Sequence, residues 1–140
     1  TPVFLLGAEA GVAEKVKEIL ERKYHGMTVV GTYGGSPKNE NFLPIQAAIL
    51  ETQPEVLFVA YGSPAQELWI AKHLRDFPSV KIAMGVGGAF DFLAGVRIRA
   101  PKWMQRIGLE WLFRLLQAPS RAKRIYNAVV KFPLMVMRKR

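Results

Sequence analysis

The feature that most constrains the fold of this chain is a repeated alternation of short apolar segments with helical segments, separated by glycine- and proline-rich turns. The apolar segments have the length and composition of β-strands and are residues 3–7, 27–32, 56–61 and 80–84. The segments between them are predicted helices and are residues 12–22, 41–52 and 65–76. A strand, a helix and a further strand with short connections are typical of a parallel sheet.

We therefore predict an α/β fold, with a parallel sheet and helices on both faces. Residues 56–61 are apolar on both faces of the predicted strand, which indicates a central position in the sheet. Ligands of such sheets bind at the carboxyl ends of the strands. The predicted site therefore lies among four loops, which are residues 7–11, 33–37, 62–67 and 85–91.

Charge divides the chain into two parts. Residues 1–95 carry eight Lys and Arg against ten Asp and Glu, whereas residues 96–140 carry twelve against one. The net charge of +9 therefore arises from the second part. We predict a globular α/β region at residues 1–95 and a basic helical appendage at 96–140, which should seek an anionic partner.

The basic appendage is predicted to be helical and amphipathic. Pro101 can open a helix whose apolar residues recur at spacings of three and four until Pro119. A second helix is predicted at residues 121–131. Trp103, Trp111 and Phe113 lie among cations, so three interpretations stay open: a helix at a membrane surface, a nucleic-acid surface, or helices packed on the domain with solvated basic faces.

Two of the predicted loops carry polar residues that suit a ligand. Gln66 and Glu67 fall in the first turn of a helix, where free backbone N–H groups favour a phosphate. The structural alternative is that Glu67 only complements the helix dipole. Asp91 follows three glycines and can accept hydrogen bonds from a ribose or a base, or it can cap a helix or pair with an arginine.

The remaining polar candidates are weaker. Tyr33 follows a strand and can stack on a base, or it can be partly buried at the sheet edge. His25 and His73 are predicted surface residues. No metal and no cofactor are predicted, because the chain has no cysteine, only two aspartates and no Asp-x-Asp pair.

Five blocks of sequence together resemble one known family, the WecG/TagA/CpsF family (glycosyltransferase family 26). The blocks are FLLG-x3-GVAEK, VVGTY, GSP-x-QE-x-WI, GVGGAFDF-x-AG and R-APKWMQRIGLEWLFRLLQ-x-P-x-R-x-xR. They occur in order through nearly the whole chain. The resemblance implies a Rossmann-like α/β region that binds a nucleotide sugar at residues 1–95, partial relative to the family, and a membrane-associating helical appendage at 96–140.

The resemblance also implies an activity and its partners. The family transfers an N-acetylmannosamine-type sugar from a UDP-sugar to polyprenyl-diphosphate-linked GlcNAc, with inversion, in cell-wall and surface polysaccharide synthesis. The implied location is the cytoplasmic face of the bacterial membrane, held peripherally on an anionic surface. Homo-oligomerisation stays open as a further partnership, and no nucleic-acid partner is expected under this interpretation. The alternative is a non-catalytic cationic module that binds membrane or nucleic acid.

Site residues follow from matching this chain to the family motifs. The implied donor site comprises Tyr33, Gly62, Gln66, Glu67, Gly87 and Asp91. The diphosphate is assigned to Arg114, Arg121 and Arg124. The resemblance covers only the C-terminal part of the family, and the aspartate taken as its general base belongs to the N-terminal half. No catalytic residue is therefore identified here. Three alternatives follow: the chain is a fragment, it needs a partner chain, or it is inactive alone, and we expect little or no turnover from these residues by themselves.

Overall fold

The computed structural model describes residues 1–38 and 42–117. Its strands are β1 (Pro2–Gly7), β2 (Thr28–Tyr33), β3 (Val56–Ala60) and β4 (Ile82–Gly85). Its helices are α1 (Val12–Lys23), α2 (Phe42–Thr52), α3 (Ala65–His73), α4 (Ala89–Leu93), α5 (Lys102–Arg106) and α6 (Glu110–Gln117). A 3₁₀ turn at Leu74–Asp76 extends α3 to the end that the sequence predicts for this helix.

The strands form one parallel sheet in the order β2-β1-β3-β4. β1 and β3 occupy the centre, and the apolar residues Val3, Phe4, Leu5 and Leu6 of β1 are at most 2% exposed. Burial on both faces is what a central parallel strand requires, and it explains why this run is uniformly apolar. The parallel α/β sheet predicted from the sequence is confirmed.

Helices cover both faces of the sheet, as predicted. Successive side chains of a strand point to opposite faces, so Val3 and Leu5 of β1 pack with α1 and α4. Phe4 and Leu6 point the other way and pack with α2 and α3. The chain therefore has two apolar layers with the sheet between them.

The last strand begins two residues later than the sequence suggests. The N–H of Val80 donates to the carbonyl of Phe77 at 3.0 Å, so Val80 closes a turn rather than opening a strand. Ladder pairing with β3 begins at Ile82, which lies opposite Val56. β4 is an edge strand in the described sheet, and Ile82 is 54% exposed.

The prediction of a single helix after Pro101 is wrong, because the structure has two helices there, α5 and α6. Gly108 adopts φ +74°, a left-handed conformation that ends α5. The N–H of Leu109 donates to the backbone carbonyl of Met104 at 2.9 Å, and the N–H of Gly108 donates to the backbone carbonyl of Gln105 at 3.3 Å. This pair of bonds is a Schellman motif, which terminates a helix at a glycine.

The chain separates into two compact units, Thr1–Arg97 and Ile98–Arg140. Of the second unit, the structure describes residues up to 117, so the helix predicted at residues 121–131 lies outside the described part. In residues 1–38 and 42–117, no helix is long and apolar enough to span a bilayer.

Candidate functional site

The strand order places the topological switch point of the sheet between β1 and β3. The helix after β1 lies on one face of the sheet, whereas the helices after β2 and β3 lie on the other. The connections therefore diverge between these two neighbouring strands, and this divergence marks the ligand crevice of open α/β sheets. The sequence predicted four loops at this edge, and those after β1 and β3 flank the switch point.

Gly7 lets the two central strands approach closely at this crevice. It has φ +99°, and a Cβ added to it would lie 2.9 Å from the carbonyl carbon of Ala60. The next residue, Ala8, also has a positive φ of 64°, and its N–H donates to the carbonyl of Ala60 at 3.3 Å. The loop after β1 is therefore fixed by contact with the end of β3.

The turn between β3 and α3 is organised around the side chain of Gln66. This residue is only 5% exposed. Its Oε1 accepts the backbone N–H of Gly62 at 3.1 Å and that of Gly87 at 2.8 Å. Its Nε2 donates to Oε1 of Glu67 at 2.9 Å. Four of the predicted donor-site residues are thus joined directly by one amide.

Glycine is also required where the Gln66 side chain crosses the end of β4. A Cβ on Gly85 would lie 2.5 Å from Nε2 of Gln66 and 2.7 Å from its Cδ. Gly87, two residues on, has φ +54°, which turns the chain toward α4. The sequence shows these glycines as a turn signal, but it does not show that Gln66 occupies the space they leave.

Glu67 is exposed and is held ionised by its neighbours. The hydrogen bond from the Gln66 side chain is the main cause that lowers the pKa of this carboxyl, followed by the bond from its own backbone N–H. The hydroxyl of Ser63 also contributes to lowering that pKa, whereas partial desolvation opposes it. The carboxylate is thus an available acceptor beside the turn.

Asp91 lies on α4, the short helix that follows β4 and its glycine turn. Its Oδ2 pairs with Nε of Arg97 at 3.1 Å, and the two side chains are 15% and 26% exposed. The backbone N–H of Arg97 also donates to the Asp91 carbonyl at 3.1 Å. The arginine-partner alternative is therefore realised, and Arg97 is a site neighbour that sequence reasoning did not name.

Tyr33 ends the edge strand β2 and is partly buried against the cluster on the α2 and α3 face. Beside it, sequence reasoning missed Tyr61, which directly follows β3. The Tyr61 hydroxyl is buried and has no hydrogen-bond partner among the described residues. Burial raises the pKa of Tyr61, and the neighbouring Tyr33 raises it further. Tyr33 is not among the groups that Gln66 joins.

His73 is buried, so its predicted surface position is wrong, whereas His25 is exposed as predicted. The ring of His73 stacks on Phe42 with centroids 4.0 Å apart and lies 5.1 Å from the ring of Trp69. Its Nδ1 is 3.3 Å from Oδ2 of Asp76. These contacts give His73 a packing role between α2 and α3.

A groove of about 670 Å³ lies at the opposite end of the sheet. It is lined by Thr1, Val3, Lys23, Tyr24, His25, Gly26, Met27, Val56 and Phe58. None of the predicted site residues lines this groove. Among the residues that the structure describes, no cluster of three or more His, Asp and Glu side chains could hold a metal ion.

The predicted residues of the appendage are only partly described. Trp103 is 61% exposed and Trp111 is 36% exposed, whereas Phe113 is partly buried. Arg114 belongs to α6, but its side chain lies outside the described part of the chain. Arg121 and Arg124 also lie outside the described residues.

Comparison with known proteins gives the same family as the sequence motifs. The model of the glycosyl transferase WecG/TagA/CpsF family matches residues 1–140. A Bacillus subtilis (strain 168) protein named N-acetylglucosaminyldiphosphoundecaprenol N-acetyl-beta-D-mannosaminyltransferase is 34% identical over 136 residues, which cover 97% of this chain and 52% of the relative.

A Bacillus spizizenii protein of the same name is 35% identical over 125 residues, which cover 89% of this chain and 48% of the relative. The chain thus spans about half the length of the curated relatives it matches. Since the family model matches every residue, the chain belongs to the WecG/TagA/CpsF family of glycosyl transferases.

Proposed function

We propose that this chain is the donor-binding and membrane-associating part of a glycosyltransferase. The complete reaction transfers N-acetylmannosamine, or a related hexosamine, from a UDP-sugar to undecaprenyl-diphosphate-linked GlcNAc, with inversion. Family membership supports the reaction class. The names of two relatives support the sugar and the acceptor, and those names describe proteins about twice as long.

The observation that carries the proposal is the clustering of glycine turns and carboxylates at one end of the sheet. The donor site comprises Gly62, Gln66, Glu67, Gly87 and Asp91, with Tyr33 as the nucleoside contact. Glycine turns let a phosphate approach the backbone closely, and carboxylates accept hydrogen bonds from ribose hydroxyls. Gln66 joins the two turns directly.

We assign the diphosphate to arginines rather than to a metal ion. Negative charge grows on the departing UDP, and guanidinium groups aimed at it lower the barrier through charge-assisted hydrogen bonds. The candidates are Arg114, Arg121 and Arg124. In this proposal, the base that deprotonates the acceptor hydroxyl is supplied by polypeptide other than these 140 residues.

Replacing Asp91 should weaken UDP binding. We expect Asp91→Ala to lower the affinity by about tenfold to a hundredfold, because a hydrogen bond to a charged group is worth about 1.5–3 kcal/mol. Isothermal titration calorimetry with UDP measures this effect, and thermal melting checks that the variant is folded.

The matched control is Asp76→Ala, which removes the other aspartate of the chain. Asp76 ends the turn before β4 and therefore lies at the opposite end of the sheet. Its replacement should leave UDP affinity within about twofold, a change below roughly 0.5 kcal/mol. If wild-type protein binds no UDP, or Asp91→Ala binds as well as wild type, the donor-site assignment is wrong.

We also propose that residues 98–140 attach the chain peripherally to anionic membrane. Within this unit Ile98, Trp103 and Ile107 are 73%, 61% and 59% exposed. Residues 98–140 hold eleven Lys and Arg against one acidic residue. Exposed aromatic residues among cations suit the boundary between headgroups and acyl chains, and each surface cation adds roughly 1 kcal/mol.

The membrane proposal predicts that Trp103→Ala/Trp111→Ala lowers binding to phosphatidylglycerol vesicles by at least about tenfold, since apolar burial of each Trp is lost. Vesicle co-sedimentation measures the bound fraction, which should also fall as salt rises. Leu43→Ala/Leu68→Ala is the control, because these residues are 74% and 67% exposed but belong to the first unit. Equal loss in both double variants, or tight DNA binding without vesicle binding, would contradict the proposal.

A further inference from the structure

The side chain of Gln66 has little hydrogen-bonding capacity left for a ligand. A glutamine oxygen has two lone pairs, and here the N–H groups of Gly62 and Gly87 occupy both. One amide hydrogen is used on Glu67. With 5% of the residue exposed, a single N–H is all that the side chain can offer to a donor nucleotide.

The partners of Gln66 belong to two separate loops. Gly62 lies in the turn between β3 and α3, and Glu67 follows Gln66 in the first turn of α3, whereas Gly87 lies 21 residues away in the turn between β4 and α4. The Gln66 backbone N–H also donates to the Gly62 carbonyl at 3.0 Å, which closes a ring through the first turn. One amide therefore sets the position of one loop against the other.

Gly85 completes this arrangement. A Cβ at this position would lie within 2.8 Å of Nε2, Cδ and Cγ of Gln66. Real Cβ atoms do not approach so closely, so the amide would have to leave its place. Gly85 is thus the space into which the Gln66 side chain fits, and it has no side chain of its own to offer a ligand.

We propose that Gln66 is a positioning residue. Its side chain locks the turn that contains Gly62, at the start of α3, to the turn that leads to Asp91, and it orients the Glu67 carboxylate toward the ligand. The inference deepens the proposed donor site and rests on it for the identity of that ligand. In this proposal Gln66 acts by holding the two turns and Glu67 in place, and Gly85 leaves the space that the Gln66 side chain occupies.

Amide hydrogen exchange of the ligand-free chain tests the lock without any substrate. In Gln66→Met, which keeps a similar length but has no amide, Gly62 and Gly87 should lose protection together, each by about tenfold or more. Gly85→Ala should reproduce this double loss. Gln46→Met is the control, since it makes the same change on α2 and should leave both amides unaffected.

Gln66→Glu separates the two parts of the role, which are accepting hydrogen bonds from the two glycines and donating one to Glu67. Its carboxylate still accepts from both glycines, so their protection should stay within about threefold of wild type, but it donates nothing to Glu67 and repels it. Carbon-detected NMR titration should therefore show a raised Glu67 pKa in both Gln66→Glu and Gln66→Met. This titration is a readout that simple packing would not change.

UDP affinity tests whether the hydrogen bonds of Gln66 matter for the proposed donor site. It should fall by about tenfold in Gln66→Met and in Gly85→Ala. The proposal is overturned if Gly62 and Gly87 keep their protection in Gln66→Met, or if the Glu67 pKa is unchanged in both Gln66 variants. Should Gln66→Met not fold, the titration of Gln66→Glu decides alone. If exchange and titration behave as expected while wild type binds no UDP, the lock stands and the donor assignment fails.

Discussion

Gly7→Ala should destabilise the folded chain by about 2–5 kcal/mol. Two costs act together at this position. The residue has φ +99°, which an L side chain rarely adopts, and the new Cβ would lie 2.9 Å from the carbonyl carbon of Ala60 and 3.0 Å from the ring of Tyr61. The obstructing backbone belongs to the end of β3, a central strand, so it cannot move without disturbing the sheet.

Two other glycines separate these costs. Gly11 has φ +82° but no atom within 4 Å of an added Cβ, so Gly11→Ala measures the backbone cost alone, about 1 kcal/mol. A Cβ on Gly26 would also meet nothing within 4 Å, and Gly26→Ala should change stability by less than about 0.5 kcal/mol. Urea unfolding followed by circular dichroism gives the three values. A Gly7→Ala no worse than Gly11→Ala would show that close approach of β1 and β3 is not required.

The sheet could be predicted because its signals are local. β1 is an uninterrupted apolar run, Val3 to Leu6, and glycines follow at Gly7 and Gly11. Burial on both faces requires such a run, and the turn to α1 requires the glycines, so composition and structure agree residue by residue. The same reasoning placed the predicted ligand loops at the end of the sheet where Gln66 joins two of them.

The division of the appendage into α5 and α6 could not be predicted from spacing. Apolar residues continue at three and four from Trp103 to Leu116, straight through Gly108. A helix interrupted by a one-residue left-handed turn can keep a similar apolar periodicity. The signal that distinguishes the two cases is glycine itself, which tolerates a helix at a cost of about 1 kcal/mol but is favoured at a helix end.

The contacts of the polar residues also could not be predicted from the sequence. Gln66 and Gly87 are 21 residues apart, and nothing in their spacing shows that the Gln66 side-chain oxygen accepts a hydrogen bond from the Gly87 N–H. Arg97 appeared only as one cation of a basic segment, yet it pairs with Asp91. A single buried histidine such as His73 has no periodic signal, because its burial depends on which helix packs opposite it.

Trp69→Ala should lower the free energy of unfolding by about 3–5 kcal/mol, since a large buried ring leaves a cavity that the core cannot fill. Trp69 is 5% exposed and holds α3 against the sheet. Its ring centroid lies 5.1 Å from that of His73, 5.9 Å from Tyr61 and 6.0 Å from Phe77. The free energy of unfolding of a natural protein is only about 5–15 kcal/mol in total, so a large part of the stability depends on this ring.

Leu68→Ala is the matched control, because Leu68 precedes Trp69 on the same helix and is 67% exposed. It should change stability by less than about 0.5 kcal/mol. Both variants are measured by urea unfolding, with the slope compared to wild type so that a change in the unfolded state is not mistaken for a change in packing. If Trp69→Ala costs no more than Leu68→Ala, contacts other than this aromatic cluster must hold α3. The helix that presents Gln66 and Glu67 would then owe its position to the turns at its start.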